Sequence, residues 1–156
     1  MKKKFIFEED MAEVIGKHIE KQLEGLDPSK LKKSVSPNSA LLWLPKLIEL
    51  DLPTPKTLFV HFDYFQVMPK VFDNKECEAF DKLVVEIQNA CETIGYPCFI
   101  RTDMGSAKHD GPWAYKAEDS SDISRVLTIT LEDSEMKFWM SKDGPQCILV
   151  REWLDL

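Results

Sequence analysis

The densest grouping of side chains able to hold a charged ligand lies in CFIRTDMGSAKHDGPWAY, residues 98–115. Cys98, Phe99 and Ile100 have the composition of a buried strand, Arg101 follows them, and Gly105, Ser106, Lys108, His109 and Gly111 come within the next ten residues. Glycine lets a ligand approach main-chain N–H groups, a serine hydroxyl donates, and lysine brings a mobile positive charge. These are the parts of a phosphate cradle. Arg101 at a strand end would add a planar fork that stays charged at neutral pH. Two phosphate-loop patterns do not fit: GSAKHDG is not Gly-x-x-x-x-Gly-Lys-Ser/Thr, and no Gly-x-Gly-x-x-Gly follows a strand-like run. Taken alone, the stretch also reads as a hairpin connection rich in turn residues, with Arg101 paired to a surface acid. His109, like His18 and His61, has no partner acid or nucleophile assignable from sequence and reads as a hydrogen-bonding residue.

The elements that must position this loop follow from periodicity and punctuation. Phe80, Leu83, Val84, Ile87, Ala90, Cys91 and Ile94 fall on one helical face between Lys75 and Thr93, and Gly95 stops that helix. Pro97 then hands over to a strand at 98–102. Trp113 to Lys116 reads as the returning strand of a hairpin around residues 103–112. Upstream, two prolines in LDLPTPKTLFVHF precede a strand from Thr57 to Phe62. Downstream, Ser120 caps a helix running to about Glu132, with a further helical turn from Glu135 to Met140, and Cys147–Val150 forms a last strand. Val14, Ile15, Ile19 and Leu23 predict an amphipathic helix between Asp10 and Leu26. Asp27 with Pro28 predicts a short helix, and Ser36 with Pro37 predicts another that Pro45 kinks or splits. The chain reads as α+β, with helices concentrated in its first third.

Composition bounds the function. The 156 residues suffice for one domain or two small lobes with a buried core, and 44% hydrophobic with 30% charged residues describes a soluble globular chain. A formal net charge of −7 argues against a nucleic-acid binder that works by neutralising phosphates, while leaving room for a local basic pocket. The apolar run after the N-terminal lysines is only Phe5 to Phe7, so no signal peptide is expected, and no apolar run approaches a membrane span. Cys77, Cys91, Cys98 and Cys147 lack metal-ligand spacing and read as reduced, mostly buried thiols of a cytoplasmic protein. Trp43, Trp113, Trp139 and Trp153 read as core or interface residues.

Three segments, LIELDLPTPKTLFV at 47–60, YPCFIRTDMGSAKHDGPWAY at 96–115 and ILVREWLDL at 148–156, stand in an order that resembles the ATP-grasp superfamily. The closest likeness is to a divergent group with an Arg-Thr-Asp then Ser-x-Lys-His signature. The resemblance implies residues 1–50 as a helical N-terminal region, and 51–156 as a pre-grasp region plus the first nucleotide-binding lobe. It implies ATP as the ligand. Arg101 would stand where a basic residue contacts the α- and β-phosphates, and Ser106, Lys108 and His109 would belong to the loop that covers the triphosphate. Glu152 and the main chain of Trp153 and Leu154 would read the adenine edge, with Ile148 and Val150 as walls. In such enzymes a second lobe carries the magnesium ligands, and that lobe is not found within these residues.

Two functions follow as expectations. In one, the chain is the nucleotide-binding part of a carboxylate–amine or carboxylate–thiol ligase, incomplete alone and finished by a second lobe or subunit. In the other, it is a non-catalytic truncated lobe acting as a binding or inhibitor protein, with self-association or a protein partner covering its open edge.

Overall fold

The structure is a computed structural model, and it describes residues 24–31, 38–105, 111–140 and 144–155, with side chains omitted at 136–140. The helix expected before Leu26 and the helix start at Ser36 and Pro37 lie outside the described residues. The fold is mixed α+β. Helices are α1 (Ala40–Glu49), α2 (Tyr64–Asp73), α3 (Glu78–Ile94), the single turn α4 (Pro112–Tyr115) and α5 (Ile123–Met140). Strands are β1 (Thr57–His61), β2 (Cys98–Thr102), β3 (Lys116–Ala117) and β4 (Cys147–Glu152). Among the described residues the two longest helices, α3 and α5, lie beyond the first third, most of which lies outside the described residues.

The sheet order is β1-β4-β2-β3, and every neighbouring pair is antiparallel. Side chains alternate across a strand, so the register sorts the strand residues into two faces. Leu58, Val60, Cys98, Ile100, Ile148 and Val150 share one face and pack with residues of α2, α3 and α5, including Tyr64, Phe80, Ile87, Ile123, Leu127 and Leu131. Phe59, Cys147 and Leu149 share the other, under Ala40, Leu41 and Leu44 of α1, with Leu26 beside them. This second cluster draws residues from both sides of position 50.

Local chemistry accounts for the boundaries. Asp27 caps the 3-10 turn Pro28–Lys30 by accepting from the Ser29 N–H at 3.0 Å. Ser39 caps α1, its hydroxyl accepting from the Leu41 N–H. Pro45 sits inside α1 without splitting it. It is buried together with Ala40, Leu41 and Leu44, so packing of that face offsets the one hydrogen bond the proline removes. The stretch Trp113–Tyr115 is helical instead of extended, because Pro112 occupies the first helical position and Gly111 turns into it at φ 73°. The return to the sheet therefore begins at Lys116, where Phe99 pairs with Lys116 and Cys98 with Ala117. The helix from Ile123 runs unbroken to Met140, joining the two helical segments expected separately.

Gly25, at φ 85°, sits with its Cα against the Phe59 carbonyl, in space a Cβ would occupy. That approach lets Glu24 bridge Leu58 in parallel and accept from the Phe59 N–H at 2.9 Å, closing part of the β1 edge. All four cysteines are free thiols, and three of them are buried.

Candidate functional site

The sequence Arg101-Thr102-Asp103 sends its side chains in three directions. Thr102 lies on the α5 side, its hydroxyl 3.1 Å from that of Ser134. Asp103, 1% exposed, holds three elements together. Its carboxylate accepts from the Ser39 hydroxyl at 2.6 Å and from the Gln146 and Cys147 N–H groups at 2.7 and 3.0 Å. Its main chain accepts from the Ala40 N–H and donates to the Cys147 carbonyl. Burial raises the Asp103 pKa, against the opposing pull of those donors. This knot holds together the start of α1, the end of β2 and the start of β4.

Arg101 lies on the α1 face, half-buried, with its guanidinium carbon 5.8 Å from the centre of the Trp43 ring. Its Nε donates to the Thr102 carbonyl at 3.1 Å. Burial first, and then the neighbouring Arg151 guanidinium, draw its pKa down to about 10, while Asp103 acts in the opposite sense. The group is thus charged at neutral pH. Arg151 occupies the same face of β4, half-buried, and its Nε donates to the Thr57 hydroxyl at 3.1 Å. Burial lowers its pKa too, with Glu152 opposing. Arg101 pairs in register with Leu149, and Arg151 with Phe99, so the two arginines are diagonal neighbours on adjacent strands.

Beyond Arg151 the same face becomes aromatic. The Phe99 ring lies 6.3 Å from that of Trp153 and 6.1 Å from that of Tyr115, centre to centre, and the Lys116 ammonium sits 4.8 Å above Trp153. Pro55, Phe99, Arg151, Glu152, Trp153 and Leu154 line a cleft of about 170 Å³. A larger hollow of about 590 Å³ adjoins it, sharing Pro55 and Glu152 and bounded by Asp51, Leu52, Lys56 and Thr57 among others. Glu152 braces the wall between them. Its carboxylate accepts from the Lys56 N–H at 3.0 Å and its N–H donates to the Lys56 carbonyl at 3.0 Å.

Of the residues singled out from sequence, Glu152, Trp153 and Leu154 come together in one cleft, and Arg101 stands on the sheet face of two other residues of that cleft, Phe99 and Arg151. The register places it three residues along from the Glu152 level, roughly 10 Å at strand spacing. Ser106, Lys108 and His109 lie outside the described residues. Of the tryptophans, Trp43 and Trp153 are half-buried under cations. Trp113, expected in the core or at an interface, is outside the core, 64% exposed beneath the Arg125 guanidinium, because α4 turns it outward. His61 is half-buried, its Nε2 accepting from the Asp27 N–H at 2.7 Å and its Nδ1 3.6 Å from the Cys147 sulfur.

Arg151, Phe99, Trp43 and Asp103 escaped sequence reasoning. A signal for Arg151 was present: each of the two expected strands 98–102 and 147–150 carries or abuts one arginine in an otherwise apolar run. Among the described residues no three His, Cys, Asp or Glu side chains gather as a metal-ligating group. None of the described helices is long and apolar enough to cross a membrane. Comparison with protein-family models, with curated proteins and with solved structures found no match to this chain.

Proposed function

We propose that the chain binds a nucleotide along the α1 face of its sheet, as one half of an ATP-grasp-type cleft. The observation that supports this most is a ring-sized aromatic cleft and a half-buried guanidinium standing on one sheet face, about 10 Å apart. In this reading Phe99, Trp153 and Pro55 take the base, and Arg101 takes phosphate. A cleft of 170 Å³ admits a ring but not a whole nucleotide, so the sugar and phosphates run over the open sheet toward Arg101. The described donor set does not suit magnesium, so no metal-dependent step is assigned to this chain. The second jaw and its metal ligands come from another lobe or subunit in this proposal.

Calorimetric titration of the protein with ATP and with adenosine tests the reading. Both bind, ATP the tighter, and Trp153→Ala weakens both. Absence of heat with either compound at millimolar concentration removes the nucleotide proposal.

A second reading is favoured by the apolar rim of the same cleft. Leu50, Leu52 and Leu154 are 69%, 48% and 48% exposed, and Leu52 and Leu154 border the two adjoining hollows. Such a rim suits contact with a protein surface. Under this reading the chain self-associates, and Leu52→Asp with Leu154→Asp returns it to a monomer in sedimentation experiments.

A further inference from the structure

The two arginines of the α1 face share a feature that neither strand shows alone. Each guanidinium is anchored through Nε, Arg101 to the Thr102 carbonyl and Arg151 to the Thr57 hydroxyl. Among the described residues, neither has a carboxylate within ion-pair distance, and the terminal nitrogens of neither meet an acceptor. The acids nearest in charge are already held: Asp103 by Ser39, Gln146 and Cys147, and Glu152 by the Lys56 N–H. Diagonal neighbours on antiparallel strands have Cα atoms roughly 7–8 Å apart, and like charges at that separation repel when partly desolvated.

Folding therefore brings two positive forks together, fixes each by its inner nitrogen, and leaves their outer edges open on one face. Trp43 backs Arg101, limiting where its plane can turn. A bidentate fork is matched by the oxygens of phosphate or carboxylate. Two forks on one face suit a group that offers oxygens to both at once, which a phosphate or diphosphate does and a single carboxylate does not.

We infer that Arg101 and Arg151 form a paired clamp for a phosphate-class dianion, with Arg151 carrying as much of the binding as Arg101. This deepens the nucleotide reading and rests on it only for the remainder of the ligand. Bound anion would remove the repulsion between the two cations, so occupancy stabilises the fold as well as the complex.

The experiment titrates the full chain with inorganic pyrophosphate, succinate and adenosine by calorimetry, and follows thermal unfolding in parallel. Pyrophosphate binds and raises Tm, and added salt weakens it. Arg101→Gln and Arg151→Gln each lower pyrophosphate affinity by about 10- to 100-fold, the effect of losing a charge-assisted fork. Arg151→Lys, which keeps charge without the fork, falls between. Without anion, Arg151→Gln keeps or raises Tm, whereas a merely structural arginine would lower it. Equal binding of succinate and pyrophosphate, or unchanged pyrophosphate affinity in both Gln variants, overturns the clamp. Adenosine binding that persists in that case leaves the nucleotide reading standing. Arginine-dependent pyrophosphate binding without adenosine binding upholds the clamp and removes the nucleotide.

Discussion

The two faces of the sheet are built differently from the same four strands. On one, Ile100, Ile148 and Val150 are fully buried beneath α2, α3 and α5, and the strand side chains there are apolar apart from Thr102 and, at the end of β4, Glu152. On the other, α1 covers Phe59, Cys147 and Leu149, while Phe99, Arg101 and Arg151 are only half-buried, with Trp43 of α1 standing over Arg101. One alternation of side chains along β2 thus separates what stabilises the fold from what is left to meet a ligand. Chemistry collects where coverage is incomplete, because only there can charged groups keep part of their hydration.

Substitutions that act on one face and spare the other test this division. The largest effect belongs to the covered face: Ile100→Ala, or Leu127→Ala on α5, lowers unfolding free energy by about 2–5 kcal/mol in urea titrations. Neither should alter pyrophosphate affinity per folded molecule. Asp103→Ala comes next, at about 3 kcal/mol, since it strands the Gln146 and Cys147 N–H donors and removes the carboxylate that holds the Ser39 hydroxyl at the start of α1. Because α1 carries Trp43, this variant also weakens anion binding, linking the two faces where Ile100→Ala does not. Trp153→Ala is smaller, costing adenosine binding about 0.5–1.5 kcal/mol by calorimetry while leaving Tm nearly unchanged.

The smallest effect is a pH dependence. Burial, and then Lys30, hold the His61 pKa below its usual 6.5, with Asp27 opposing. The unfolded chain therefore takes up this proton more readily than the folded one. The His61 contribution is fully present above pH 6.5 and declines as pH falls through 6.5 toward the lower folded value. Protonation also removes the Nε2 acceptor that receives the Asp27 N–H. Asp103, with its pKa raised above 3.8 by burial, works in the opposite sense. The difference in Tm between the parent and His61→Gln, followed from pH 8 to 5, isolates the histidine.

How far the sequence carried depended on the range of the forces involved. Strand β2 and helix α3 were legible because Pro97, Gly95 and an apolar period act locally. Helix α2 was not assigned, since YFQVMPKVFD carries Pro69 in its middle and buries only Tyr64 and Val67 fully. Its Asp63 cap and left-handed Asn74 stop are visible once the helix is known. Arg101 was legible as a charge at the end of an apolar strand. That Arg151 stands beside Arg101 needed the register of β4 against β2, which no local pattern supplies, and Asp103 needed donors from residues 39 and 146. Local rules located one arginine, and only tertiary pairing located its neighbour.

Strand order carries a consequence for how the molecule is assembled. β1 and β2 do not pair with each other; each waits for β4, the last of the four to be synthesised, to enter between them. Until residue 147 is available, the described residues give β2 only the two rungs of β3, and β1 only the bridge from Glu24. A nascent chain at that point holds helices and two incompletely paired strands, and its contacts of longest sequence separation form last. Both arginines of the open face reach their final neighbours in that same step, so the strand that completes the sheet also creates the charge pair.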